Sequence, residues 1–131
     1  MGIPIYVVGS SNTDLVVKAE KLPMPGETVI GGTFLMNPGG KGANQAVTAA
    51  RLGNEVTFVA KVGNDIFGKQ ALQQFIRENI NTDFITTDGE YPSGVALIGV
   101  DAKGENNILV APGANGHLDM LIVEQALESI N

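Results

Sequence analysis

A chain of 131 residues is the length of one domain, able to bury roughly two thirds of its unfolded surface without covalent staples. It has no cysteine and a single histidine, His117, which excludes disulfides and thiolate metal sites and argues against a zinc centre or a Ser-His-Asp triad. The net charge of −6 denies nucleic acid the basic groove it needs, and neither a charged leader nor a long apolar run points to a membrane; the expectation is a cytoplasmic protein partnered by neither.

Ile3 to Val8 is a short apolar run closed by Gly9, the pattern of a buried parallel strand. Ser10, Ser11, Asn12, Thr13 and Asp14 follow at its C-terminal end, where open α/β sheets bind their ligands. Asn12 and Asp14 point the same way if the chain stays extended, although the same residue types also make turns that bond their own backbone. Leu15 to Ala19 is extended, the stretch around Pro23, Pro25 and Gly26 turns, and Thr28 to Phe34 is extended again, which predicts a hairpin that a doubly wound sheet does not itself require.

Asn37-Pro38-Gly39-Gly40-Lys41-Gly42-Ala43-Asn44 then joins an extended segment to a helix, whose small apolar residues Ala43, Ala46, Val47 and Ala50 recur at helical spacing. Pro38 holds Asn37 extended, and the glycines let the backbone come close to another molecule. The first turn offers unpaired N–H groups beside the Lys41 ammonium and the Asn44 amide, a setting for an oxygen-rich ligand, either a phosphate or a polyol. The same pattern also serves simply to pack a small-residue helix against a sheet.

The helix of about Ala43 to Leu52 ends at Gly53, and Val56 to Val62 reads as the next buried strand, closing a β-helix-β crossover. Asn64 or Asp65 caps a second helix with Phe67, Ala71, Leu72, Phe75, Ile76 and Ile80 on its inward face, and Phe84 to Thr87 is a third short strand. Gly94 to Val100 and Asn107 to Ala111 form a second hairpin, with Ala96 and Ile98 on one face and Val110 across from them; the two hairpins can join as one small sheet. A last helix of about Leu118 to Ile130 turns Leu118, Leu121, Ile122 and Ala126 inward. Because a parallel sheet expects a strand after such a helix, the chain is expected to be the front of a longer protein or to need a second chain.

Gly63-Asn64-Asp65-Ile66-Phe67-Gly68-Lys69 fits the opening of a phosphate-binding P-loop, but Gln70 stands where Ser or Thr should hold magnesium, and Phe67 and Gly68 already continue a helix pattern. Asp101, Lys103 and Glu105 lack calcium-loop spacing and read as a solvated hairpin tip.

Asn12-Thr13-Asp14 after a first strand, then a hairpin, then Gly39-Gly40-Lys41-Gly42-Ala43-Asn44 opening a helix, resembles the ribokinases of the PfkB-type carbohydrate kinase family. That family's N-terminal signature is met by Gly39, Gly40, Asn44, Ala46, Gly53 and Gly63, and Val62 to Gly68 and Ala111 to Asn115 are similar to further family segments. The resemblance implies a three-layer α/β/α, Rossmann-like sheet, partial here, with a small β-sheet lid built from hairpins at about 15–36 and 94–111. It implies that residues 1–131 are the N-terminal, sugar-binding portion and that the C-terminal ATP-binding half is absent. The implied substrate residues are Asn12, Thr13, Asp14, Gly39, Gly40, Lys41, Gly42, Ala43 and Asn44, with Ala96, Ile98 and Val110 as the lid's apolar wall over the sugar. The implied activity of the complete form is transfer of the ATP γ-phosphoryl group to the 5-hydroxyl of D-ribose, with Mg2+ and a monovalent cation such as K+, in a homodimer paired through the lid. No catalytic residue or metal ligand is expected within this chain, because the family's Gly-Ala-Gly-Asp segment is missing, and the isolated 131 residues are expected to be inactive. The alternatives are a non-catalytic sugar-binding or dimerisation module, and a kinase of the same family acting on a nucleoside or a hexose.

Overall fold

In chain order the elements are β1 (Pro4–Val8), β2 (Asn12–Lys18), β3 (Thr33–Gly39), α1 (Lys41–Arg51), β4 (Glu55–Gly63), α2 (Ile66–Arg77), β5 (Ile85–Asp88), β6 (Gly94–Val100), β7 (Asn106–Ala111), a 3-10 turn (Gly113–His117) and α3 (Met120–Glu128). The computed structural model describes residues 2–130, so Met1 and Asn131, the ends of the expected 1–131 portion, lie outside the described residues.

Two sheets result. In the first, β4 lies between β1 and β5 and pairs with both in parallel, the arrangement that helical crossovers produce. Its Val56, Phe58, Val59, Ala60 and Val62 are buried, a near-continuous apolar run of the kind a central parallel strand needs. The Phe58 ring meets the edge of Phe75 from α2 with centroids 5.2 Å apart, and the small Ala43 and Ala46 let α1 lie close against the same strand. The second sheet has the order β3-β2-β6-β7: two antiparallel pairs, β2–β3 and β6–β7, joined along a parallel seam between β2 and β6. The expected hairpins therefore do combine into one sheet.

Several boundaries differ from expectation for identifiable reasons. The strand after the first turn begins at Asn12 rather than Leu15, because Asn12, Thr13 and Asp14 are already paired on both sides. Thr28 to Phe34 is not one extended segment; β3 starts at Thr33 and runs through Pro38 to Gly39. A proline inside a strand is tolerated there because β3 is an edge, where a missing N–H breaks no ladder. The first helix accordingly opens at Lys41 rather than Ala43. Of the two expected caps of α2, Asn64 or Asp65, it is Asp65 that serves, whereas Ile76 is 60 % exposed instead of facing the core. The last helix starts at Met120, capped by Asp119, and Leu121 is 62 % exposed, leaving Ala126 as its buried residue. β1, expected to be buried, is half-buried, since only one of its edges is paired.

Candidate functional site

The turn from β1 into β2 and the start of α1 are pressed together. A Cβ placed on Gly42 would lie 2.7 Å from the Ser10 nitrogen, and one on Gly40 would lie 2.9 Å from the Asn12 nitrogen, so neither position accepts a side chain. Gly40 also has φ 94°, a left-handed conformation that favours glycine, which is what turns the chain out of β3 and into α1. The helix begins without a side-chain cap, and among its opening amides Ala43 donates to the Ser10 carbonyl at 2.9 Å.

Strand register then sets out one face of the second sheet in rows. The first row is Gly39, Asn12 and Gly94, in which only Asn12 carries a side chain. The next runs across all four strands as Asn37, Asp14, Ala96 and Val110, and the third as Leu35, Val16, Ile98 and Ile108. The face therefore passes from an open polar end beside α1 to an apolar end, with the Asp14 carboxylate between them. That carboxylate rests over Gly39, whose Cβ, if it had one, would lie 2.6 Å from Asp14 Cγ.

Asn12 and Asp14 are thus brought to one face, as period-two alternation requires, and Ala96, Ile98 and Val110 share that face with them. Thr13 stands on the opposite face, level with Pro38 and Val95. Asn44, exposed on α1, lines an open groove of 780 Å³ between α1 and α2 together with Asn12, Asn37, Gly39 and Ala43; Asp14 and Lys41 are not among its walls. Neither Asp14 nor Lys41 takes part in an ion pair among the described residues.

Two supports of this site went unread in the sequence. Asn115, in the 3-10 turn, accepts the Ser11 backbone N–H at 3.0 Å and donates to Asn12 Oδ1 at 2.7 Å. Ser93, just before β6, accepts the Gly63 N–H at 2.8 Å and donates its hydroxyl to Asp65 at 2.7 Å, while its own N–H donates to the other oxygen of that carboxylate at 2.8 Å. Burial alone would push the Asp65 carboxyl up. The hydroxyl and amide of Ser93 and the amides of Gly68 and Phe67 outweigh it and hold the group below the usual carboxylate range. The same bonds show why the P-loop pattern is structural: the Gly63 and Gly68 amides that would cradle a phosphate already serve Ser93 and Asp65. His117 stacks on Tyr91 with ring centroids 3.6 Å apart, as a turn residue before the last helix.

A chain with this crossover, this glycine-opened helix and this four-stranded sheet matches the model of the pfkB family carbohydrate kinases over residues 4–131, and it belongs to that family. Within the family it is similar to ribokinases: it is 46% identical over 126 residues to the ribokinase of Bacillus subtilis, a match covering 96% of this chain and 43% of that protein. Its fold matches the ribokinase of Giardia lamblia with a TM-score of 0.86 at 34% identity, over 98% of this chain and 39% of the other. A ribokinase of Arabidopsis thaliana, solved with ribose and ATP, matches with a TM-score of 0.79 at 36% identity, over 88% of this chain and 38% of that one. These likenesses bear out the ribokinase-like α/β fold, and the chain spans well under half the length of each relative.

Proposed function

We propose that this chain is the acceptor-binding and lid portion of a ribokinase-type sugar kinase, whose complete form uses ATP to phosphorylate D-ribose at O5. The observation that carries the reading is the row Asn37, Asp14, Ala96 and Val110, with Asn12 beside it: a carboxylate and two carboxamides next to a short apolar wall. A carboxylate accepts two hydroxyl hydrogens and a carboxamide serves a hydroxyl oxygen, while the apolar residues cover carbon. Such a set suits a small polyol. It discriminates against an analogue lacking one hydroxyl, because a buried polar partner left unpaired costs about 1–3 kcal/mol. Gly39, Gly40, Lys41, Gly42, Ala43 and Asn44 complete the cradle from the helix side, while Thr13, paired on both sides in the sheet, holds Asn12 and Asp14 in register.

In this reading the four-stranded sheet is the lid. Closing it over the sugar excludes water, so that the phosphoryl group passes to the sugar hydroxyl rather than to water. The chain's own residues bind and orient the acceptor; they supply no base for its hydroxyl. No group of three or more His, Cys, Asp or Glu that could hold a metal ion occurs among the described residues, and this reading assigns the implied Mg2+ and monovalent cation no ligand in this chain. The donors for ATP phosphates are likewise lacking in the one P-loop-like segment, so no phosphoryl-transfer step is assigned to this chain, and its isolated form is inactive. Pairing of two copies through the outer face of the lid belongs to the same reading.

The test is an acceptor panel with ATP on the intact kinase carrying this segment. The reading expects D-ribose to have the highest kcat/KM, above 2-deoxyribose, fructose and adenosine. A preference for a nucleoside or a hexose would contradict it.

A further inference from the structure

Asn115 has no polar atom to spare. Its Oδ1 accepts the Ser11 N–H at 3.0 Å, and its Nδ2 donates to the Ser11 carbonyl at 3.1 Å and to Asn12 Oδ1 at 2.7 Å. With one acceptor oxygen and two N–H hydrogens, a carboxamide making these three bonds has used both hydrogens. Its orientation is dictated by backbone: a peptide N–H has to meet the oxygen and a peptide carbonyl the nitrogen, so this amide cannot be turned round. The second hydrogen on Nδ2 then demands an oxygen from Asn12, which fixes Asn12 as well and leaves the Asn12 NH2 group facing away from Asn115.

We propose that Asn115 is a positioning residue that sets the hydrogen-bond polarity of Asn12, so that Asn12 presents its NH2 group, not its carbonyl, to a hydroxyl oxygen of the sugar. The inference rests on the acceptor reading above. Asp14, two residues on and on the same face, has only acceptor oxygens when ionised. A donor-only Asn12 beside an acceptor-only Asp14 matches the two halves of neighbouring sugar hydroxyls, each of which gives one hydrogen and receives another. Were Asn12 free to rotate, it would present its carbonyl half of the time and compete with Asp14 for the same hydrogens.

The surroundings hold the device in place. Ser11 is 4% exposed. Gly94 leaves room for both amides: a Cβ there would collide with them and stand 2.9 Å from the Pro112 carbonyl oxygen. The turn carrying Asn115 is pinned by the Ala114 N–H donating to the Pro92 carbonyl at 2.7 Å, with Ala114 fully buried. Nothing in the turn has to move for Asn115 to act.

The test is a mutant cycle in the intact kinase. In Asn115→Asp the carboxylate has no hydrogen to give Asn12 Oδ1, so Asn12 turns its NH2 group inward and shows its carbonyl to the sugar. The ribose KM is expected to rise by about tenfold, the worth of one reversed hydrogen bond, with a smaller change in kcat and none in the KM for ATP. In an Asn12→Ala background the same substitution is expected to add nothing, because the group it acts through is gone. A ribose KM within about twofold of the parent, or an undiminished penalty in the Asn12→Ala background, would overturn the inference. Asn115→Ala, which likewise has no hydrogen to give Asn12 Oδ1, carries the same cycle if the aspartate variant does not fold. If another acceptor proves to be the substrate, the ribose reading falls, while the cycle run on that acceptor still decides the role of Asn115.

Discussion

At the scale of single residues the proposed sugar site turns on Asp14 and Gly39. Glycine at 39 is required not by its backbone but by its neighbour, because a methyl group there would press into the Asp14 carboxylate. Gly39→Ala is therefore expected to displace that carboxylate and raise the ribose KM of the intact kinase by about tenfold or more, with a smaller effect on kcat, since a hydrogen bond to a charged group contributes about 1.5–3 kcal/mol. Steady-state kinetics on the variant checks this, and an unchanged KM would place the sugar elsewhere. The pairing of Asn12 with Asp14 on one face was legible in the sequence, because alternation along a strand is a local rule. The part played by Asn115 was not, because its partner Asn12 lies 103 residues away and an Asn in a Pro-Gly-Ala-Asn turn looks like any other turn residue.

Asp65 makes the corresponding case for elements. It caps α2 through the Gly68 N–H at 2.9 Å, a role the Asn-Asp sequence before an apolar-periodic run discloses. It also anchors Ser93 and hence the start of β6, a link between helix and sheet that no local pattern encodes. Removing it by Asp65→Ala is expected to destabilise the fold by about 1–2 kcal/mol from the lost cap, with the Ser93 bonds in addition. The pH dependence has a definite sign. A carboxyl whose folded pKa is depressed stabilises the fold above its unfolded value near 3.8, and that contribution fades as pH falls through the lower folded value. Thermal melts of the parent and of Asp65→Asn should accordingly differ most at neutral pH and converge below about pH 4; a gap independent of pH would contradict the assignment. The strand boundaries were less legible for a related reason: Pro38 and Gly39 carry turn chemistry locally, yet pairing with β2 on an open edge keeps them extended.

For the molecule as a whole, the feature with most consequence is apolar surface on both sides of the small sheet. On the face away from Asp14, Val17, Phe34, Leu97 and Leu109 are 44 %, 61 %, 49 % and 70 % exposed, and they line a shallow groove with Leu22 and Val29 from the β2–β3 connection. Exposed apolar area of this kind marks an interaction surface, in keeping with pairing through the lid. On the proposed pairing through the lid, Leu97→Asp, which leaves the Asp14 face untouched, is expected to shift the intact kinase toward the monomer in sedimentation velocity; an unchanged distribution would remove this face from the proposed interface. The parallel core and its helices followed from apolar periodicity, whereas the parallel seam between β2 and β6 did not, because joining strands so far apart in sequence depends on Ser93 and Asn115.

The claim on which the rest depends is that Asp14 holds the sugar. Calorimetric titration of the intact kinase with D-ribose, alongside an Asp14→Ala variant whose melting temperature shows it folded, tests this most directly. The account predicts that the variant loses ribose affinity by about a hundredfold, in line with two hydrogen bonds to a carboxylate. A folded variant that binds ribose as tightly as the parent would contradict it.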